Sequence, residues 1–339
     1  MDKNIFKGAQ SVESKLAVNP KASRIPGRTK KSAVSKSRFA KDILTHKWLW
    51  LMALPGCAIV FVFSYLPMFG VILAFKDYKV SDGILGSRWV GLDNFKYLFS
   101  TRDAWNITYN TLFLNTLFIV TGTVGGILIA LLINEVRSRW LIKFYQSAMF
   151  LPYFISWVIV SYFVYSLLSY DMGIINAMLN SLGMDPVQWY NEPRLWPALL
   201  TVVNLWKGVG YGSVIYLAGI MGIDGELFEA ATIDGASKFQ QIARITLPLL
   251  MPLIITLTLM AIGRVFFADF GLFFNVTRDT GALYSTTNVI DTYVFRALRK
   301  SGDIGMASAA GFYQAFVGLF LVLASNLFVK KINPDRALF

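Results

Sequence analysis

Long apolar runs alternate with short polar gaps along this chain, a pattern that a soluble core does not produce. Six stretches, at about 48–75, 111–134, 144–168, 196–221, 247–270 and 307–329, reach the ~20 apolar residues that a bilayer-spanning helix needs. Four of the six hold no Asp, Glu, Lys or Arg. The pattern predicts an all-α membrane protein with six transmembrane helices. Basic residues near the spans then set its direction. The segments 28–47, 135–143, 222–246 and 330–339 hold 15 Lys and Arg in 64 residues, whereas 76–110, 169–195 and 271–306 hold 10 in 98. Both termini and the 222–246 loop are therefore expected on the cytoplasmic side.

Composition narrows the function classes. The net charge of +12 comes mostly from residues 1–47, which carry twelve Lys and Arg against three acids. The expected division is a basic cytoplasmic tail, 1–47, and a transmembrane domain, 48–335. The tail has few aromatics on which bases could stack and no recognisable module, so no nucleic-acid partner is expected. Its expected role is to hold the first span's N-terminus inside and to touch anionic lipid of the bilayer. Ser35 to Lys47 reads either as an amphipathic helix on the membrane or as a solvated tail. The long charged region, with no small-residue cleavage site after the first span, does not read as a secretory signal. Cys57 is the single cysteine and His46 the single histidine, which leaves no disulfide framework, metal cluster or His-based triad. No GxxxxGK[ST] phosphate loop occurs, so the chain is not an ATPase by that route. No nucleophile–base pair can be assembled either, and an enzyme is not expected. Asp269 is the one carboxylate within a span, which argues against a proton relay. The reading is a pore-forming subunit, without a cofactor of its own, whose energy comes from elsewhere.

The 222–246 loop carries the most specific signal. Glu229, Ala230 and Ala231 are followed after three residues, Asp234 among them, by Gly235. Ile245, Leu247 and Pro248 follow after nine more. Leu227 to Ile233 can form a short helix whose small alanines admit a close partner. Gly235 suits the left-handed residue that ends such a helix, and Ser237 with Gln240 has the form of a capping box that restarts one. Pro248 and Pro252 fall where a membrane helix begins. This spacing resembles the EAA loop of membrane subunits of binding-protein-dependent ABC importers. The resemblance extends over about residues 45–335. VGLDNFKYLF (Val90 to Phe99) is similar to the outer segment of sugar-importer permeases. LPYFISWVIVSYF (Leu151 to Phe163), YGSVIYLAGI (Tyr211 to Ile220) and DTYVFRAL (Asp291 to Leu298) are similar to the branch handling oligosaccharides derived from polysaccharides.

The resemblance implies a type I ABC importer permease fold in the bacterial cytoplasmic (inner) membrane. It also implies a second permease subunit, expected to be a different chain, two ATPase subunits that bind ATP and Mg, and an extracytoplasmic solute-binding protein. Glu229, Ala230, Ala231, Asp234, Gly235, Ile245, Leu247 and Pro248 would couple the ATPases to the pore. It does not account for the basic tail.

Two cations within spans bear on the substrate. Lys207 lies about 16 Å into span four by helical rise, and Arg264 lies in the outer half of span five. A charge at mid-membrane costs at least ~2.5 kcal/mol on insertion scales, so it should face an interior or a watery path. Around Lys207 the sequence is NLWKGVGYGS, whose three glycines allow a kink or an unwound turn. Asn204, Trp206, Lys207, Tyr211, Ser213 and Arg264 are the candidate substrate path, with rings for sugar faces and polar groups for hydroxyls. The competing readings are close helix packing through the glycines and, for the two cations, an ion pair with Asp269 across helices. Trp157, Tyr162 and Tyr165 read as packing or interface residues. Two basic groups against one acid favour an acidic, uronate-containing oligosaccharide. A neutral sugar or another small solute is the alternative.

Overall fold

The computed structural model describes residues 45–332. The expected basic tail lies outside them except for its last three residues, as does the C-terminal stretch 333–339. Packing divides the chain between Leu66 and Pro67. In the first unit, α1 (Lys47–Val60) continues through a π turn, Phe61–Tyr65. It has no buried residue, as befits a helix whose solvent is lipid.

Among the described residues, five helices are long and apolar enough to cross a membrane: Lys47–Phe75, Arg102–Asn134, Pro193–Met221, Lys238–Ile262 and Ile304–Lys331. A sixth span results if Arg139–Phe154 and Trp157–Leu168, bent by 98°, count as one. The described residues are helical apart from short connections and a two-residue antiparallel ladder, β1 (Lys76–Asp77) with β2 (Arg88–Trp89), in which Lys76 faces Trp89.

In the second unit, α2 (Arg102–Asn134) and α5 (Trp196–Met221) form the central pair. Apolar burial drives helices together weakly in lipid, so close approach must supply the attraction. Gly126 meets the Tyr216 ring, where an added Cβ would lie 3.2 Å away. On its other side α5 receives α3 (Arg139–Phe154): a Cβ on Gly210 would fall 1.9 Å from the Met149 carbonyl oxygen. The glycine-rich stretch of α5 is continuous α-helix. No unwound turn interrupts it, and of its three glycines Gly210 serves close helix packing.

The third span differs from the straight helix 144–168 expected from apolarity. It is broken at Ile155 and Ser156 into α3 and α4 (Trp157–Leu168), with Ser156 accepting a hydrogen bond from the Ile159 amide at 3.4 Å. The fifth span also ends early. After the capping-box restart at Lys238 and a π turn, Ile242–Thr246, α7 (Leu247–Ile262) stops eight residues short of the expected 270. The carbonyls released beyond it are captured by side chains from neighbouring helices. Asn115 donates to Val265 at 2.8 Å, and Gln314 donates to Phe266 at 2.8 Å. Irregular backbone at such depth persists where protein satisfies it. Asp291, on α8 (Ile290–Arg296), accepts from the Ala268 amide and from Gln314 on α9 (Ile304–Ile332). Burial pushes its carboxyl above the usual range.

One apolar cluster around Tyr216, Leu217, Ile220 and Leu250 sits at the end of the bundle carrying the 222–246 loop. Another, around Leu114, Val164, Trp196, Leu200 and Phe273, sits toward the opposite end.

Candidate functional site

The 222–246 loop folds as two short helices at a corner. Asp224 caps α6 (Gly225–Ile233), its carboxylate accepting from the Glu226 amide at 3.0 Å. The helix stops at Gly235, whose φ of 75° an L side chain rarely adopts. The Gly235 amide donates to the Thr232 carbonyl and the Ala236 amide to Ala231, the paired bonds of a Schellman end. Two residues on, Ser237 and Gln240 form the reciprocal capping box, with the Ser237 amide donating to Gln240 Oε1 at 2.7 Å. Buried Gln241 ties the halves together, donating to Thr232 Oγ1 at 3.0 Å. The corner is thus braced by local bonds and presents a fixed shape. Glu229, Ala230, Asp234, Gly235 and Pro248 are exposed on it, while Ala231, Ile245 and Leu247 are half-buried. Ile233 and Phe239 flank the corner at 85% and 78% exposure. Sequence reasoning passed over both, although two large apolar side chains in a polar loop are themselves a signal for a docking face.

The candidate path residues fare unequally. Lys207 turns its ammonium onto the frayed end of α3, donating to the carbonyls of Tyr153 at 2.7 Å and Ile155 at 2.6 Å, and to Pro152 at 3.2 Å. The Pro152 carbonyl also accepts from the Ile155 amide, whereas those of Tyr153 and Ile155 are acceptors of the kind that a helix C-terminus leaves unpaired, and a cation there also meets the negative end of the helix dipole. The ammonium lies 5.6 Å from the Tyr153 ring centroid and 5.1 Å from that of Trp157. Tyr211 stacks on Tyr153 at 4.7 Å, so the fold brings two of the predicted residues together around one ring. Asn204 is half-buried and Trp206 exposed. Ser213 is buried and donates to the Gly210 carbonyl of its own helix.

Arg264 is exposed in the turn that follows α7, outside any helix. Among the described residues, neither Lys207 nor Arg264 makes the ion pair with Asp269. Asp269 accepts instead from Trp157 Nε1 at 2.8 Å. The Pro152 to Trp157 stretch, with a proline just before an N-cap serine, held the signal for the break that Lys207 closes.

At the far end of the bundle, Arg278 and Asp279 follow a π turn, Leu272–Val276, with φ values of 56° and 48°. Asp279 anchors this left-handed pair through an ion pair with Arg296 at 2.7 Å, a second with Lys300, and a hydrogen bond from the Tyr284 hydroxyl. Burial works against its carboxylate, but bonds from Lys300, Arg296 and Tyr284 outweigh it and hold the carboxyl below the usual range. Sequence reasoning proposed none of these five residues for a site, although Arg296 lies within the quoted stretch DTYVFRAL.

Long apolar helices, an irregular but satisfied interior and a rigid corner at one end define a multi-pass membrane transport subunit. Residues 122–335 match the family described as binding-protein-dependent transport system inner membrane component, and the chain belongs to that family. It is a permease subunit of a binding-protein-dependent ABC importer. The chain is 35% identical to a bacterial ABC transporter involved in the import of the acidic polysaccharide alginate, with a TM-score of 0.80 over 87% of this chain and 99% of that one. A bacterial alginate ABC transporter solved in complex with an alginate pentasaccharide-bound periplasmic protein matches at 36% identity and TM-score 0.79, over 87% and 98% of the two chains. The polygalacturonan/rhamnogalacturonan transport system permease protein of Bacillus subtilis (strain 168) is 35% identical over 88% of this chain and 93% of its own.

Proposed function

We propose that this chain is the pore-forming permease subunit of a type I ABC importer that moves uronate-containing oligosaccharides from a solute-binding protein into the cytoplasm. The observation that carries this reading is the likeness, at 35–36% identity and TM-scores near 0.80, to transporters of alginate. In this reading six spans cross the membrane within a transmembrane domain, 48–335, and both termini and a basic tail, 1–47, are cytoplasmic. A second permease chain completes the pore. Two ATPase subunits bind ATP and Mg and dock on the corner formed by Glu229 to Pro248. Its fixed shape supports this role, because a rigid element transmits a rigid-body displacement of the ATPases to the spans. Direction then comes from the different affinities of the outward and inward states for substrate.

The test is uptake into proteoliposomes holding the full complex with its cognate binding protein. Galacturonate or mannuronate oligosaccharides should be taken up and should stimulate ATP hydrolysis. Uptake confined to neutral oligosaccharides or to another small solute would overturn the acidic-substrate reading.

A further inference from the structure

Among the described residues, Arg264 and Arg278 are the two cations with side chains discussed above that have neither an ion pair nor a backbone carbonyl as partner, and of the two only Arg278 lies over an aromatic ring. Lys207 is occupied by three carbonyls, and Arg296 and Lys300 by Asp279. Lys76 is buried and donates to the carbonyls of Ile84 and Leu85. Among the described residues Arg278 has no ion pair; it is exposed and holds its guanidinium over the Tyr165 ring, with Cζ 4.0 Å from the ring centroid. A planar fork supported on one face keeps its N–H edge free for a carboxylate and loses little freedom on binding one.

The surroundings match such a guest. Arg278 lines a cavity of about 440 Å³ at the end of the bundle opposite the 222–246 corner, together with Tyr165, Trp189, Tyr190 and Asn191. That volume lies within the range of about 300–1,000 Å³ typical of small-ligand sites. Aromatic faces suit the apolar faces of pyranose rings, and Asn191 can bond hydroxyls. Tyr190 donates to the Val276 carbonyl, and burial pushes its phenol up to about 12. It therefore stays neutral and adds no charge against an anion. Asp171 also lines the cavity but makes no ion pair with Arg278.

The same arginine lines a second cavity of about 270 Å³, shared with Ser161, Tyr162 and Asn275. Tyr165, Tyr162, Ser161 and Val158 lie three or four residues apart along one side of α4. The two cavities therefore follow that helix down toward Trp157, whose ring faces Lys207. Holding Arg278 there is costly, because Arg278 and Asp279 are consecutive non-glycine residues in left-handed backbone. The ion pairs of Asp279 offset that cost, and strain maintained in this way belongs with functional positions.

We propose that Arg278, stacked on Tyr165, is the receiving site for the carboxylate of a uronate residue as an acidic oligosaccharide enters the permease from the binding protein. The pyranose ring lies against Trp189 and Tyr190, and the chain then runs along α4 past Ser161 and Tyr162. This deepens the acidic-substrate reading and rests on it.

The test uses the complete permease–ATPase complex in nanodiscs, free of binding protein and titrated with a galacturonate tetrasaccharide. Arg278→Gln should weaken binding at least tenfold, and Arg278→Lys, which keeps the charge but loses the planar fork, by an intermediate factor of about three to five. A merely structural arginine would give the same loss in both variants, with a lowered melting temperature, and that result would overturn the proposal. So would wild-type complex that takes up the tetrasaccharide in proteoliposomes with its binding protein yet binds it in nanodiscs no better than Arg278→Gln; in that case the acidic-substrate reading survives alone. Wild-type complex that takes up no uronate oligosaccharide removes both.

Discussion

Lys207 shows how a single side chain can reconcile a charge with membrane depth. Its ammonium replaces water with three backbone carbonyls and two aromatic faces, so the insertion cost is met by acceptors that the break in the third span would otherwise leave bare. Removing it takes the donor from the Tyr153 and Ile155 carbonyls, at about 1–3 kcal/mol. Lys207→Met should therefore lower the melting temperature of the purified complex by several degrees, as well as impair uptake. A variant that melts with wild type while losing uronate uptake would assign Lys207 to the substrate alone.

The corner is the element that local sequence specifies most completely. Each of its determinants, from Asp224 through Gly235 to the Ser237–Gln240 box, acts within a few residues, so spacing alone carries the information. Gly235→Asp places a side chain at φ 75° and a charge beside the docking face. Uptake and substrate-stimulated ATP hydrolysis should fall by at least tenfold while membrane insertion persists. Normal coupling in that variant would remove the corner from the mechanism. Other elements were less legible, for an equally physical reason. The end of α7 at Ile262 is concealed because the apolar run continues through Val265, Phe266 and Phe267, and the groups that make a helix stop affordable, Asn115 and Gln314, come from distant helices. Likewise the partners of Lys207 lie more than fifty residues away. The apolar pattern gives the candidate spans, but the shape of each depends on its neighbours.

For the whole molecule, orientation is the open quantity, and charge bias together with the corner predicts it. A cysteine placed at Ser237 should react with a membrane-impermeant thiol reagent only from the cytoplasmic side, and one at Thr286 only from outside. Cys57 should first be replaced by serine, because it is exposed on α1. Labelling of both positions from one side would invalidate the six-span arrangement. The break between α3 and α4 also bears on how the chain is made. At about 1.5 Å per residue, sixteen and twelve residues reach only about 24 and 18 Å, short of the ~30 Å hydrocarbon layer. Neither half can cross alone, and their exposed joint lacks its cap until Lys207 and Gly210 emerge from the ribosome some fifty residues later. In the six-span reading the third span is completed only once the fourth has been made, and the two are expected to enter the bilayer as one unit of assembly.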